Sequence, residues 1–586
     1  MSLTRRLAAV AGLASIALVS ACGSDSPTGP TTPQPIIGVT ATSINSTSIK
    51  VTFQSRSTDN SYNIERAEGA TGGFSAAGTA PAPASVGTVT FTDNGLKPNT
   101  AYRYRVTAVA GGLSSTPSSE ATVTTPPTGS LGAIDITTDI TANRTLYRDT
   151  VYVLKGFIHV ANGATLTIES GTTIKGDFNT TGSSLFVLRG AKIQAIGTAD
   201  QPIVFTSSRA AGSRQPGDWG GLIIIGNAPS SRSGTVLVEG TGTDGTTITG
   251  GKNYEIAYSG GTTATDNSGT LNYVRVEFAG FAPQKDAELN SFTFAAVGSG
   301  TRVSYLESLG GLDDAYEFFG GGFDADHLVA YETGDDMFDM SEGFVGRLQY
   351  LIGYNSVQLT PRTGAGSLAT DLEGIENDGC NGPGCDNGFN QQPYTIPVVA
   401  NFTLVGCGAQ SCVGPSGGFG MMLRRGTGGY YVNGVIARFP AAGVSLRDAD
   451  TYARAGGVVT PDLATADLGI RNVYFSELGG SIFQANTATP ATQFSFDATD
   501  NSLAAGTAAA ATLFTAIPAV GSSPANAAAL DWTPVTGAAI ATGGLATFTG
   551  KLSTKAGTFV TGTSYVGAVA AGGTKWWAGW TNYARN

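Results

Sequence analysis

Val151-Tyr152-Val153-Leu154-Lys155-Gly156-Phe157-Ile158-His159-Val160-Ala161-Asn162-Gly163-Ala164-Thr165-Leu166-Thr167-Ile168-Glu169-Ser170-Gly171-Thr172-Thr173-Ile174-Lys175 is a run of very short strands separated by turn residues. Apolar residues alternate within each strand, as a pleated surface with one buried face demands, and glycine marks several of the bends. Leu185-Phe186-Val187-Leu188, Lys192-Ile193-Gln194-Ala195-Ile196, Ile203-Val204-Phe205-Thr206 and Trp219 to Ile225 continue the rhythm. So do Leu271 to Phe278, Thr301 to Leu306, Arg347 to Ile352 and Gly469 to Phe475. Coils recur at a spacing of roughly twenty to thirty residues, with no helical segments between them. That period predicts an all-β chain whose larger part, 131–586, is a parallel β-helix rather than a propeller or stacked sandwiches.

The chain ahead of this solenoid divides into several parts. Arg5 and Arg6 precede an apolar run, Leu7 to Val19, that is too short to span a bilayer. Val19-Ser20-Ala21-Cys22 closes it. The reading is a lipoprotein signal peptide (1–21) with lipidation at Cys22, then a polar, Pro-rich tether (22–34). A domain follows at 35–125 and a Pro/Thr/Gly/Ser linker at 126–130. Charged residues make up only 13% of the chain and the net charge is −11, about half the usual share of charge. No basic cluster offers a nucleic-acid surface, and no motif calls for an organic cofactor.

Two resemblances carry the fold further. Leu96, Pro98, Thr100, Tyr102, Tyr104 and Val106 fit the L-x-P-x-T-x-Y-x-Y-x-V pattern of a fibronectin type III β-sandwich, with Phe53 where that family usually has tryptophan. Gly163 to Ile168, Gly171 to Gly176, Gly197 to Ser207, Asp218-Trp219-Gly220-Gly221 and Phe318-Phe319-Gly320-Gly321 resemble a largely uncharacterised family of bacterial surface proteins. The resemblance implies a right-handed, pectin-lyase-like β-helix at the cell envelope, lipid-anchored, in the outer membrane and surface-exposed. It does not imply a particular activity.

The functional lead is a repeated acidic cluster. Asp313-Asp314-Ala315-Tyr316-Glu317-Phe318-Phe319 is followed one coil later by Asp335-Asp336-Met337-Phe338-Asp339-Met340-Ser341-Glu342. Glu288 precedes them, and Glu373, Glu376 and Asp378 follow. Coil stacking sets equivalent positions about 5 Å apart, so Asp313/Asp335, Asp314/Asp336 and Glu317/Asp339 are expected as vertical neighbours. Hard oxygen donors in such an array suit Ca²⁺, with Asp313, Asp314, Asp335 and Asp336 as its ligands. Paired carboxylates also suit glycoside hydrolysis, and acids at turns also bond backbone N–H groups. The expected job is binding an extracellular polymer, most directly polysaccharide. A calcium-dependent polysaccharide lyase, a glycoside hydrolase and a structural or adhesion protein are the alternatives. Whether the chain is an enzyme stays open, since Arg347, Arg424 and Arg425 sit in no lyase motif and no Gly-His element follows the paired acids.

Other residues are read as structural. His327 lies between the acidic clusters and is expected as an ordinary outward residue at a strand start; His159 stands alone in an early coil. Cys380/Cys385 and Cys407/Cys412 are expected as disulfides, as loop-like spacers and export favour oxidation over a zinc site. Trp576, Trp577, Trp580 and Tyr583 are expected to cap the end of the solenoid rather than form a platform for sugar rings. For the Ala-rich segment 504–541 the sequence offers a weak helix or an insertion.

Overall fold

The computed structural model describes residues 31–126, 133–242, 256–283, 287–484 and 493–584. The expected signal peptide (1–21), Cys22, most of the expected 22–34 tether and most of the 126–130 linker therefore lie outside the described residues. The chain forms two compact units, Met1–Thr128 and Gly129–Asn586.

The first unit is a β-sandwich. Thr40–Asn45, Ser48–Gln54 and Thr88–Asp93 form one antiparallel sheet, and Ser75–Pro81, Ser61–Glu68, Ala101–Ala110, Leu113–Ser114 and Ala121–Thr124 form the other. Strict alternation in Ala101–Ala110 turns Tyr102, Tyr104 and Val106 into a core shared with Ile49, Val51, Phe53 and Ile64. Phe53 fills that core edge-on to Tyr62, with ring centroids 4.8 Å apart. At the corner, the Lys97 N–H donates to the Tyr102 hydroxyl at 2.8 Å.

The second unit is a parallel β-helix. Among the described residues, one sheet holds ten strands, of which nine pair in parallel from Phe157–Val160 through Ser184–Val187, Gly221–Ile225, Phe292–Ala295, Tyr316–Phe319, Phe338–Ser341, Ile375–Asp378 and Phe419–Arg424 to Ala442–Arg447. The other, longer sheet ends on the rung Ala504–Gly506. Inward side chains stack coil on coil: Phe292 on Tyr316 at 5.1 Å, and Tyr316 on Phe338 at 5.2 Å. These distances follow from the rise between neighbouring strands, which sets equivalent rings close to stacking contact.

In the long sheet one residue per coil leaves the ladder in the left-handed region: Tyr273, Tyr305, His327, Tyr350, Asn401, Asn433 and Asn472, with φ between 49° and 65°. Register breaks at each of them, for example between Asn272↔Ser304 and Val274↔Leu306. Asparagine tolerates this conformation at little cost.

His327 belongs to this column and faces away from the acidic groove. It stacks between Tyr305 (4.3 Å) and Tyr350 (5.0 Å), with Trp576 edge-on at 4.8 Å. Arg347 lies on the same sheet, held in a bidentate pair by Asp324 at 2.6 and 2.7 Å. Neither residue takes part in the acidic cluster. His159 pairs with Asp139 at 2.8 Å beside a separate recess of about 440 Å³.

The aromatic C-terminal segment is not an end cap. It runs back along the outside of the long sheet, meeting one coil after another. Asn472 Nδ2 donates to the Gly543 carbonyl, Asn433 exchanges bonds with Leu545, Gln349 does so with Thr561, and Asn582 N–H donates to Glu307 at 2.9 Å. Trp577, Trp580 and Tyr583 are buried there with Tyr331, Ile352 and Tyr354. The outward aromatics of that flank give the C-terminal rings apolar surface to bury against. The Ala-rich segment carries three-residue 3-10 turns at Ala510–Thr512, Ala527–Ala529 and Ala539–Ala541 in place of a continuous helix, and it is not a loose insertion. It supplies the final rung and the hairpin Phe514–Ala516/Asp531–Pro534, whose Trp532 indole N–H donates to Tyr331. Pro518, Pro524 and Pro534 stop any helix from propagating.

Asn433→Ala is expected to detach this strap locally. It removes three side-chain hydrogen bonds and leaves a left-handed alanine, a loss of about 2–4 kcal/mol. Faster limited proteolysis within 543–567 is the readout. Unchanged cleavage would show that the strap is held by its aromatics alone.

The two cysteine pairs are local disulfides, Cys380–Cys385 and Cys407–Cys412, each closing a loop with a sequence separation of 5. With the sulfurs bonded to each other, they provide no thiolates for zinc. No helix among the described residues is long and apolar enough to cross a membrane.

Candidate functional site

Three coils place the same turn at the head of the same sheet. Asp313-Asp314 precede Tyr316–Phe319, Asp335-Asp336 precede Phe338–Ser341, and Leu372-Glu373 precede Ile375–Asp378. Strand register puts Thr293, Glu317, Asp339, Glu376 and Met422 in one outward column. A second column is built by side chains that bond the next coil's backbone. Asn290 Oδ1 accepts the Asp314 N–H, Asp314 Oδ1 accepts the Asp336 N–H at 2.8 Å, and Asp336 Oδ1 accepts the Glu373 N–H at 2.6 Å. The acids thus replace one another at a fixed phase, while Asn290 and Thr293 below them are neutral. Gly334 is required before the second pair, since a Cβ there would stand 1.9 Å from the Leu312 carbonyl oxygen.

Longer connections wall these columns into a groove of about 1240 Å³. One contributes Glu239, a second Phe281, Pro283 and Glu288, and a third the stretch Gly364 to Asp371. Among the described residues, ten carboxylates line the groove, against two cations, Arg424 and Arg425. Arg424 Nε donates to Asp378 at 2.9 Å, and the same guanidinium reaches Glu376; Arg425 also pairs with Asp378. All six acids singled out from the sequence line this groove. His327 and Arg347 do not.

Crowding of like charge in a recessed place has an electrostatic consequence. Burial, then the charges of Glu288, Asp335 and Glu342, push Glu239 up to about 8. Burial, then Asp371 and Glu288, push Asp335 up to about 7. Asp313, Asp314, Glu317, Asp336, Asp339, Glu373 and Glu376 are all raised well above the ordinary carboxylate range, by burial first and neighbouring carboxylates second. For Arg424, burial opposes the charge, and Asp378 and Glu376 overcome it, so the guanidinium is held protonated.

The donor set fits a hard divalent cation. Among the described residues, four trios bring carboxylate oxygens within 4.8 Å of one another: Asp313/Asp314/Asp335, Asp314/Glu317/Asp339, Asp335/Asp336/Glu373 and Asp336/Asp339/Glu376. Glu373 is 0% exposed, and neither of its oxygens receives a hydrogen bond from an N–H or hydroxyl donor, its side-chain partner being another carboxyl, Asp336; no donor meets Asp339 Oδ1 either. Oxygen-only ligands of this kind match Ca²⁺ chemistry, which takes six to eight oxygens. Asp314 and Asp336 also have a structural duty, as each spends one oxygen on the next coil's backbone.

Glu373 and Glu376 belong to the site as fully as the two Asp-Asp pairs do, and sequence reading gave them less weight. The signal was there, because Leu372-Glu373-Gly374-Ile375-Glu376-Asn377-Asp378 repeats the phase of the earlier clusters. A longer connection hid it: the backbone-bonding step is 22 residues from Asp314 to Asp336 but 37 from Asp336 to Glu373. Glu239 and Asp371 come from connections without periodicity, and no local pattern marks them.

Comparison with known proteins agrees with this architecture. The family described as a pectate-lyase-like β-helix domain matches residues 138–518, and the fibronectin type III domain matches residues 31–124. Curated proteins gave no match. Among solved structures, the chain is similar to titin kinase and its flanking domains at 21% identity, covering 16% of this chain and 17% of that one, with a TM-score of 0.14. It is also similar to the FN5 domain of Drosophila Lar (27% identity, 16% of this chain and 97% of that chain, TM-score 0.14). An Fn3-like protein from Clostridium thermocellum gives 27% identity over 15% of this chain and 88% of that chain, TM-score 0.14. The β-helix match spans well over half of the 586 residues, and the chain belongs to the pectate-lyase-like β-helix family, with a fibronectin type III domain ahead of the helix.

Proposed function

We propose that the acidic groove binds Ca²⁺ and, through it, an extracellular anionic polymer, most directly a polysaccharide. The observation that carries this reading is the set of overlapping carboxylate trios opening on a 1240 Å³ groove, with buried Glu373 oxygens that no donor meets. An array of like charges that is neither spread out nor fully paired calls for a counter-ion. A cation that keeps open coordination positions also gives an acidic sugar a reason to approach an acidic wall. The fibronectin-type domain then serves as a spacer, and a lipid on Cys22 holds the protein at the cell envelope.

Calorimetric titration of the soluble form beginning after Cys22 is expected to show Ca²⁺ binding that Asp313→Ala with Asp335→Ala abolishes. An absence of heat in the parent, at a pH where the acids are ionised, would remove the calcium reading. For the anchor, labelled fatty acid is expected to enter the wild-type chain and not Cys22→Ser; equal labelling of both would refute lipidation there.

A second reading, glycoside hydrolysis, is favoured by one observation. Asp335 and Glu239, pushed up to about 7 and about 8, change protonation near neutral pH beside acids of the same groove, the arrangement that supplies a general acid. New reducing ends from a polysaccharide panel, lost in Asp335→Asn, would establish it. Unsaturated products would instead identify a lyase, and retention without products a binding protein.

A further inference from the structure

We infer that the groove is built for a pair of divalent cations lying side by side, not for one; this rests on the cation reading above and deepens it. The four carboxylate trios form a closed ring in which each shares one residue with each of two others: Asp314, Asp339, Asp336 and Asp335 are the shared members. Only two ways exist to fill the ring without using a residue twice. One pairs Asp313/Asp314/Asp335 with Asp336/Asp339/Glu376. The other pairs Asp314/Glu317/Asp339 with Asp335/Asp336/Glu373.

The second arrangement is the one the surroundings favour. It uses Glu373, whose buried oxygens meet no donor and which the first arrangement leaves out. It also leaves out Glu376, which Arg424 already neutralises. Asp314 and Asp336 each commit Oδ1 to the next coil's N–H, so each keeps its second oxygen for an ion.

Charge and distance both argue for two ions. The trios together contain eight carboxylates, and a single divalent ion offsets two of those charges. The two ions are also close, because oxygens of Asp314 and Asp335, and of Asp336 and Asp339, lie within 4.8 Å across the boundary between the trios. Coil stacking is the cause: a repeat of about 5 Å copies one half-site onto the next and brings both within bridging range.

The test uses the full chain, stripped with chelator and titrated at mildly alkaline pH. Ca²⁺ stoichiometry is read by equilibrium dialysis, and Mn²⁺ loading by electron paramagnetic resonance. Two ions per chain are expected, with the Mn²⁺ spectrum broadened by coupling as the second ion enters. Glu373→Gln is expected to reduce the count to one and restore an uncoupled six-line spectrum. Glu317→Gln should do the same from the other half, which separates loss of a ligand from damage to one particular turn. A count of one in the parent, or two ions without coupling, overturns the pair and leaves the single-cation reading standing. No ion at all overturns that reading itself.

Discussion

Replacing Arg424 by alanine is expected to destabilise the cation-free protein by about 3–5 kcal/mol, and Ca²⁺ is expected to return much of that loss. The guanidinium binds Asp378 and Glu376 at the end of the acidic columns, where their side chains are 8% and 10% exposed. Breaking a buried pair by removing one partner leaves an uncompensated buried charge, which explains the size of the effect. Arg425 still reaches Asp378 in the variant, so the unmet charge falls mainly on Glu376, a member of a carboxylate trio. Glu376 then becomes a further ligand. Thermal unfolding of wild type and Arg424→Ala, each with chelator and with millimolar Ca²⁺, checks this. A deficit of the same size in both conditions would show that Arg424 acts by packing and not as a resident counter-ion.

Raising the pH from 5 to 8 is expected to weaken the cation-free protein and to strengthen its hold on Ca²⁺. Asp335 and Glu239 stand at about 7 and about 8 in the folded chain, against 3.8 and 4.5 ordinarily. Between those limits the folded state binds more protons than the unfolded state, so stability falls as pH rises. The contribution is complete below about pH 4 and gone above about pH 8. For Asp335 alone the rise is worth on the order of 4 kcal/mol. Burial sets it first, then Asp371 and Glu288, opposed by Arg424; around Glu239 burial again comes first, then Glu288, Asp335 and Glu342. A bound cation reverses the sign by favouring the ionised acids, so Ca²⁺ binding should release protons near neutral pH. Denaturant titrations at pH 5 and pH 8, with chelator and with Ca²⁺, give the four values needed. Equal stability at both pH values under chelator would mean that solvent already screens the groove.

The fold was legible because its signals are local. Alternation in segments such as Val151–Leu154 and Thr165–Ile168 fixes which face is buried, and Leu96 to Val106 carries the sandwich corner in one short stretch. The paired acids were legible for the same reason, since Asp313-Asp314 and Asp335-Asp336 repeat one coil apart. Glu239 and Asp371 were not, because their place in the groove depends on how connections of unequal length fold back over the sheet. His327 is instructive: it sits between the two acidic clusters in sequence, yet a coil turns the chain, and the residue ends on another face among Tyr305, Tyr350 and Trp576.

By itself, then, the sequence determined the strand period, the division into sandwich and β-helix, and the phase at which acids recur, because each follows from neighbours along the chain. Only the tertiary structure decided that these acids form two stacked columns closed into a groove, that Arg424 ends one of them, and that the C-terminal tryptophans strap the flank instead of capping the end. Those outcomes depend on which coil lies on which, and burial and like-charge repulsion act across that contact, between residues that the sequence holds far apart.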